Sequence, residues 1–167
     1  MTDTVPKNKL LLARWVVVLM IAFLVVGVAW HGISASVLER IWQNLFDRPG
    51  GQMTFRFFLQ PIMATVAALH DGLRDARSGR SPYFWAILTN PAERGGRLRE
   101  GLISTARILL LGLCMDLIYQ LLEFGTFYPS EAVIISILLA FVPYLLLRGP
   151  IARVARWRRD RAHAKDI

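Results

Sequence analysis

Apolar positions along the chain fall into four runs, Leu10–Trp30, Phe55–Leu69, Leu102–Leu122 and Phe127–Leu147, with basic residues gathered between and after them. A helix rises about 1.5 Å per residue, so about 20 apolar residues cover a hydrocarbon core of roughly 30 Å. The runs therefore predict an all-α fold, an integral membrane four-helix bundle made of one domain over residues 1–167. The expected spans are 10–30, 55–70, 102–123 and 129–147.

The second span is the least regular, being short and interrupted by Gln60–Pro61. Charge decides in its favour. Lys and Arg collect on the cytoplasmic side of membrane proteins. Four spans with the N-terminus inside put Lys7, Lys9, Arg14, Arg74, Arg77, Arg80, Arg94, Arg97, Arg99, Arg107 and the residues from Arg148 onward on that side. Only Arg40, Arg48 and Arg56 fall outside. A three-span alternative has to export the Lys-bearing N-terminus. A cleaved signal peptide fits less well, because the first run is long for its apolar region and Ile33–Ser34–Ala35 lacks the small residue usual at −3.

The connecting segments carry their own signals. Ser36 and Glu39 form a capping box, and Val37, Leu38, Ile41, Trp42, Leu45 and Phe46 then share one helical face. That predicts an amphipathic helix over 36–47, lying on the outer leaflet or packed on the protein. Arg48-Pro49-Gly50-Gly51 ends it. In the inner loop, 71–100, Ser81–Pro82 precedes an aromatic segment and Asn90 can cap a helix with Glu93 three residues on. Gly95–Gly96 should weaken any helix there. Gly125–Ser130 is a short outer turn, Pro129 can open a helix, and Pro143 should kink the last span. Arg148-Gly149-Pro150 should end it, leaving a basic cytoplasmic tail over 148–167.

Composition agrees with this class. Of 167 residues 54% are hydrophobic, and the net charge is +8. In a soluble chain such charge suggests nucleic acid. Here the aromatics lie mostly in the apolar runs, with Trp157 interleaved in the basic tail, so no nucleic-acid partner is expected. The expected surroundings are a bilayer with an anionic inner leaflet, which attracts the tail. The lone cysteine, Cys114, says nothing about redox compartment.

Asp71-Gly72-Leu73-Arg74-Asp75-Ala76-Arg77 is similar to the Asp-Gly…Ala-Arg start of CDP-alcohol phosphotransferases. It has three residues where that family has two, and no further aspartate before Asp116. No residue of that family is carried over; a helix end near Gly79 with local Asp71–Arg74 pairing accounts for the segment. His31 and His70 are expected at opposite ends of the bundle, too far apart to clamp one haem. No hydrolase, P-loop or metal motif occurs. No catalytic residue, cofactor or metal site is assigned, and the sequence carries no enzyme signature.

What remains is a candidate intramembrane polar cluster. Gly112, Asp116, Tyr119, Gln120 and Glu123 recur at three- and four-residue steps and share a face of the third span. Arg56 and Gln60 are placed to meet Glu123 and Gln120 from the second span. Polar residues at membrane depth face protein or water, so the cluster is either interhelical bonding or a path for a proton, ion or small solute.

Met53–Pro61, Gly79–Trp85 and Phe127-Tyr128-Pro129 resemble small proteobacterial inner-membrane proteins of unknown function. The resemblance implies a protein of the bacterial inner membrane and no activity; the apolar runs and the charge distribution make the expected protein multi-pass, with both termini cytoplasmic. The first functional expectation is an accessory or assembly subunit that packs against other membrane proteins. The alternative is a small transporter or channel, a homo-oligomer using the polar face of the third span.

Overall fold

The computed structural model describes residues 6–32, 39, 42–43 and 55–163, without the side chains of Arg56, Glu123, Phe124 and His163. Among the described residues it is all-helical. Helix α1 is Lys7–His31, α2 Arg56–Arg77, α3 Tyr83–Thr89, α4 Pro91–Phe124, α5 Pro129–Ser136 and α6 Val142–His163, and a π turn at Ile137–Phe141 joins α5 to α6. The amphipathic helix expected over 36–47 lies outside the described residues, apart from Glu39, Trp42 and Gln43.

Three stretches are long and apolar enough to cross a membrane: Lys7–His31, Pro91–Leu122 and Pro129–Ala162. Helix α2 is not one of them, because Gln60 interrupts its apolar run and Asp71, Arg74, Asp75 and Arg77 crowd its last turns. Its two faces are nevertheless sharply divided. Phe58, Ile62, Val66, Leu69 and Leu73 are exposed, while Gln60, Ala64, Ala68, Asp75 and Ala76 are buried. Large apolar side chains point out and small or polar ones point in, the reverse of a helix on a water-soluble core.

The local signals mostly act where the sequence places them. Asn90 Oδ1 accepts the Ala92 N–H at 3.2 Å and its amide reaches Glu93 Oε1 at 3.0 Å, so Asn90 caps α4. Pro129 opens α5, and Gly125, in the left-handed conformation, closes α4. Two expectations need correction. Gly95–Gly96 does not interrupt α4, which runs through both glycines for 34 residues; two glycines cost about 2 kcal/mol of helix propensity, less than a long packed helix returns. Nor does Pro150 end the last helix. The apolar run stops at Arg148, but α6 continues through Pro150 to His163. Pro143 is accommodated by the π turn just before it, where the Val142 N–H bonds back to Ile137.

Small residues bring the helices together. α2 makes its most extensive contact with α6, and Gly72 allows it: a Cβ there would lie 3.0 Å from the Arg148 carbonyl oxygen. α1 rests on α4 and α5 through Ala13, Val16, Met20 and Gly27, and a Cβ on Gly27 would meet the Ser130 nitrogen at 2.5 Å. Ala64, Ala68, Ala106, Leu109, Leu113, Val133, Ala140 and Tyr144 fill the centre.

Candidate functional site

Two buried polar layers cross this apolar centre. The first is organised by Arg148, 1% exposed on α6. Its Nε and Nη2 grip the Asp75 carboxylate of α2 at 2.8 and 3.1 Å. Nη1 donates to the Tyr144 hydroxyl at 2.6 Å, and that hydroxyl donates to Asp71 Oδ2 at 2.7 Å. Nη2 also lies 3.1 Å from Glu100 of α4. The guanidinium stacks on the Tyr83 ring of α3, 4.2 Å from its centre. A planar fork suits all of these at once: two parallel bonds to one carboxylate, a third to a hydroxyl, and a flat face for an aromatic ring.

A second rank of charges closes the layer. Arg97 sits 3.6 Å from Asp75, and Arg80 lies 3.9 Å from Asp75 and 3.2 Å from Glu100. Three carboxylates thus face three guanidinium groups, from α2, α4, α6 and the turn after α2. Tyr83 donates to the Arg97 carbonyl at 2.6 Å, with Gly101 leaving room for its hydroxyl. Burial pushes the Tyr83 phenol up to about 12, so it remains a hydrogen-bond donor at neutral pH. Arg156 donates to the Arg80 carbonyl, tying α6 beyond Pro150 to the same turn.

The second layer lies toward the opposite end. Asp116 and Gln120 of α4 are fully buried and bonded to each other, one turn apart. Gln120 Oε1 accepts the Tyr128 N–H at 2.6 Å, and its amide reaches the Tyr128 carbonyl at 3.4 Å. One glutamine therefore clasps the backbone of the turn between α4 and α5. Gln60 of α2 comes against Gly112, where a Cβ would collide with its amide and with Ser136; the Gln60 amide lies 3.5 Å from the Ile108 carbonyl. Gln60 Oε1 and Ser136 Oγ have no hydrogen-bond partner among the described residues. Glu131 is buried in the first turn of α5, where a helix dipole favours an acid.

Of the residues expected from the sequence, Asp116 and Gln120 share a hydrogen bond, and Gln60 meets Gly112 on the same helix, one turn from Asp116. The side chains of Arg56 and Glu123 lie outside the described residues, so their pairing does too. Asp71 and Asp75, read as a helix end, instead belong to the Arg148 layer. Sequence reasoning missed that layer, along with Tyr83, Arg97, Glu100, Tyr144 and Glu131. Asp75 and Arg148 are 73 positions apart, and each alone reads as an ordinary charge at a helix end. Among the described residues no group of three His, Cys, Asp or Glu converges as metal ligands would. No protein-family model matches the chain, and no curated protein or solved structure matches it either.

Proposed function

We propose that α1, α2, α4 and the joined α5–α6 cross the bacterial inner membrane four times, with both termini cytoplasmic, and that the protein is an accessory or assembly subunit packing against other membrane proteins. The outward apolar face of α2 supports the fourth crossing, and its 22 residues reach about 33 Å. The Arg148 layer would then lie at the cytoplasmic end, with the lysines and most arginines.

One observation carries the subunit reading. The polar groups inside the bundle are mostly engaged with one another, and Ala64, Ala68, Ala106, Leu109 and Ala140 fill the space between the two layers. Such an interior suits a rigid scaffold, whose contacts with other molecules are made on its outer faces. The transporter reading draws on Gln60 Oε1 and Ser136 Oγ, two buried acceptors beside Gly112 that a water or ion could use.

Purification of the full chain in a mild detergent, with the stoichiometry of co-purifying proteins counted, tests this. The subunit reading expects one membrane protein at a fixed ratio. A pure homo-oligomer whose flux in proteoliposomes is abolished by Asp116→Asn would replace it with the transporter reading.

A further inference from the structure

At its basic end α1 is flanked by two clefts. On one side a cleft of about 830 Å³ is walled by Leu10, Leu11, Trp15, Val18, Leu102 and Ile103, and rimmed by Lys7, Arg14 and Arg99. Among the described residues no Asp or Glu lines it. The three cations come from two helices, and none of them has an acidic partner among the described residues. Arg14 is the only charged residue in the Leu10–Trp30 run, about two turns in from Lys7, where an uncompensated cation is costly. On the other side of α1 a second cleft of about 1120 Å³ places Arg99 again, now with Lys9 and Arg74, above Leu10, Met63, Val66 and Ile103. Its two carboxylates, Asp71 and Glu100, are already engaged by Tyr144, Arg148 and Arg80.

Leu11, Trp15 and Val18 of this wall are exposed, so on a helix that crosses the membrane they face hydrocarbon, and an apolar wall with cations at its end is complementary to one kind of molecule. We infer that the cleft between α1 and α4 binds an anionic phospholipid of the adjoining leaflet. Its phosphate bridges Arg14 and Arg99 with Lys7 alongside, and an acyl chain lies against Leu11, Val18 and Ile103. Basic pockets between membrane helices recognise headgroups in this way, at about 1 kcal/mol per basic residue. Trp15, exposed beside the cleft, sits at a depth suited to the headgroup boundary. A bound lipid would neutralise Arg14 and fill the gap beside a helix that buries little of itself against the bundle. The inference rests on membrane insertion but not on the subunit role, so it can fail while the pull-down succeeds.

Native mass spectrometry of the full chain, released from mild detergent with added phosphatidylglycerol or phosphatidylcholine, provides the test. Phosphatidylglycerol should be retained as one tight adduct and phosphatidylcholine much less. Arg14→Gln with Arg99→Gln should weaken that adduct roughly thirtyfold, the equivalent of about 2 kcal/mol. Leu102→Trp keeps every cation but occupies the apolar wall, and should also lower retention. Arg158→Gln with Arg159→Gln, in the exposed tail, should leave it unchanged. Equal retention of the two lipids, an adduct that survives the Arg14/Arg99 change, or equal loss from the tail change would overturn the site. Inorganic phosphate binding as tightly as the lipid would show that the acyl chain is no part of the ligand, and would overturn it as well.

Discussion

The two buried polar layers solve the same problem differently. In the Arg148 layer every described carboxylate has more than one partner or a partner that is itself held, and with Tyr83 stacked on Arg148 the layer draws on α2, α3, α4 and α6. In the Asp116 layer the shortest bonds are local, Asp116 to Gln120 within one helix and Gln120 to the turn that follows, with one longer bond from the Gln60 amide of α2 to the Ile108 carbonyl. Contact with α2 there depends on Gln60 lying against Gly112, with acceptor groups left over. The first layer fixes how four helices are arranged. The second joins α4 to α5 and leaves slack where α2 passes. Long-range charge pairs define an assembly, whereas short-range amide bonds define a corner.

Breaking the first layer should have the larger effect. Arg148→Met leaves Asp75 buried without its bidentate partner, and should lower stability by about 3–5 kcal/mol. Arg97 at 3.6 Å and Arg80 at 3.9 Å can relieve only part of that. Asp75→Asn combined with Arg148→Met should recover a share of the loss, so a double-mutant cycle followed by thermal unfolding in detergent should give strong coupling. Additive losses would mean that the two residues act separately. A smaller effect is expected at Asp116. Leu there removes the nearer acceptor of the Gln120 amide, leaving it only the Tyr128 carbonyl at 3.4 Å, and should cost about 1–3 kcal/mol, while Asn, which keeps the shape and a hydrogen bond, should change little. Equal damage from Asn and Leu would show that the layer needs a charge and is less local than described.

These expectations mirror what could be read along the chain. The Gly112–Asp116–Gln120 face follows from three- and four-residue spacing within one helix, and Asn90, Gly125 and Pro129 announce helix ends through local chemistry. The Arg148 layer depends on which helices lie side by side, and no spacing encodes that. The same limit explains the misread ends. Gly95–Gly96 and Pro150 are helix breakers by propensity, but packing of α4 and α6 on their neighbours, with Arg156 tied to the Arg80 carbonyl, carries both helices past them. Helix α2 is the sharpest case. Its average character argues against a crossing; the distribution of Lys and Arg along the chain argues for one, and so does the assignment of each residue to an inward or outward face.

The smallest change is expected at Ser136. Its hydroxyl is buried against Gly112 without a hydrogen-bond partner among the described residues. Ser136→Ala should therefore leave stability unchanged or raise it by up to about 1 kcal/mol. A clear loss would reveal a bound water or ion, and would make the second layer as tightly specified as the first.

The central claim is that α2 crosses the membrane with the other helices and so delivers Asp75 to Arg148 at the basic end. Single cysteines at Asn44 and at Ser78, in a Cys114→Ala background, test it in intact cells with a membrane-impermeant thiol reagent. The account predicts that Asn44→Cys is labelled from outside and Ser78→Cys only after lysis. Labelling of both positions from the same side would contradict it, leaving α2 folded back from the membrane surface.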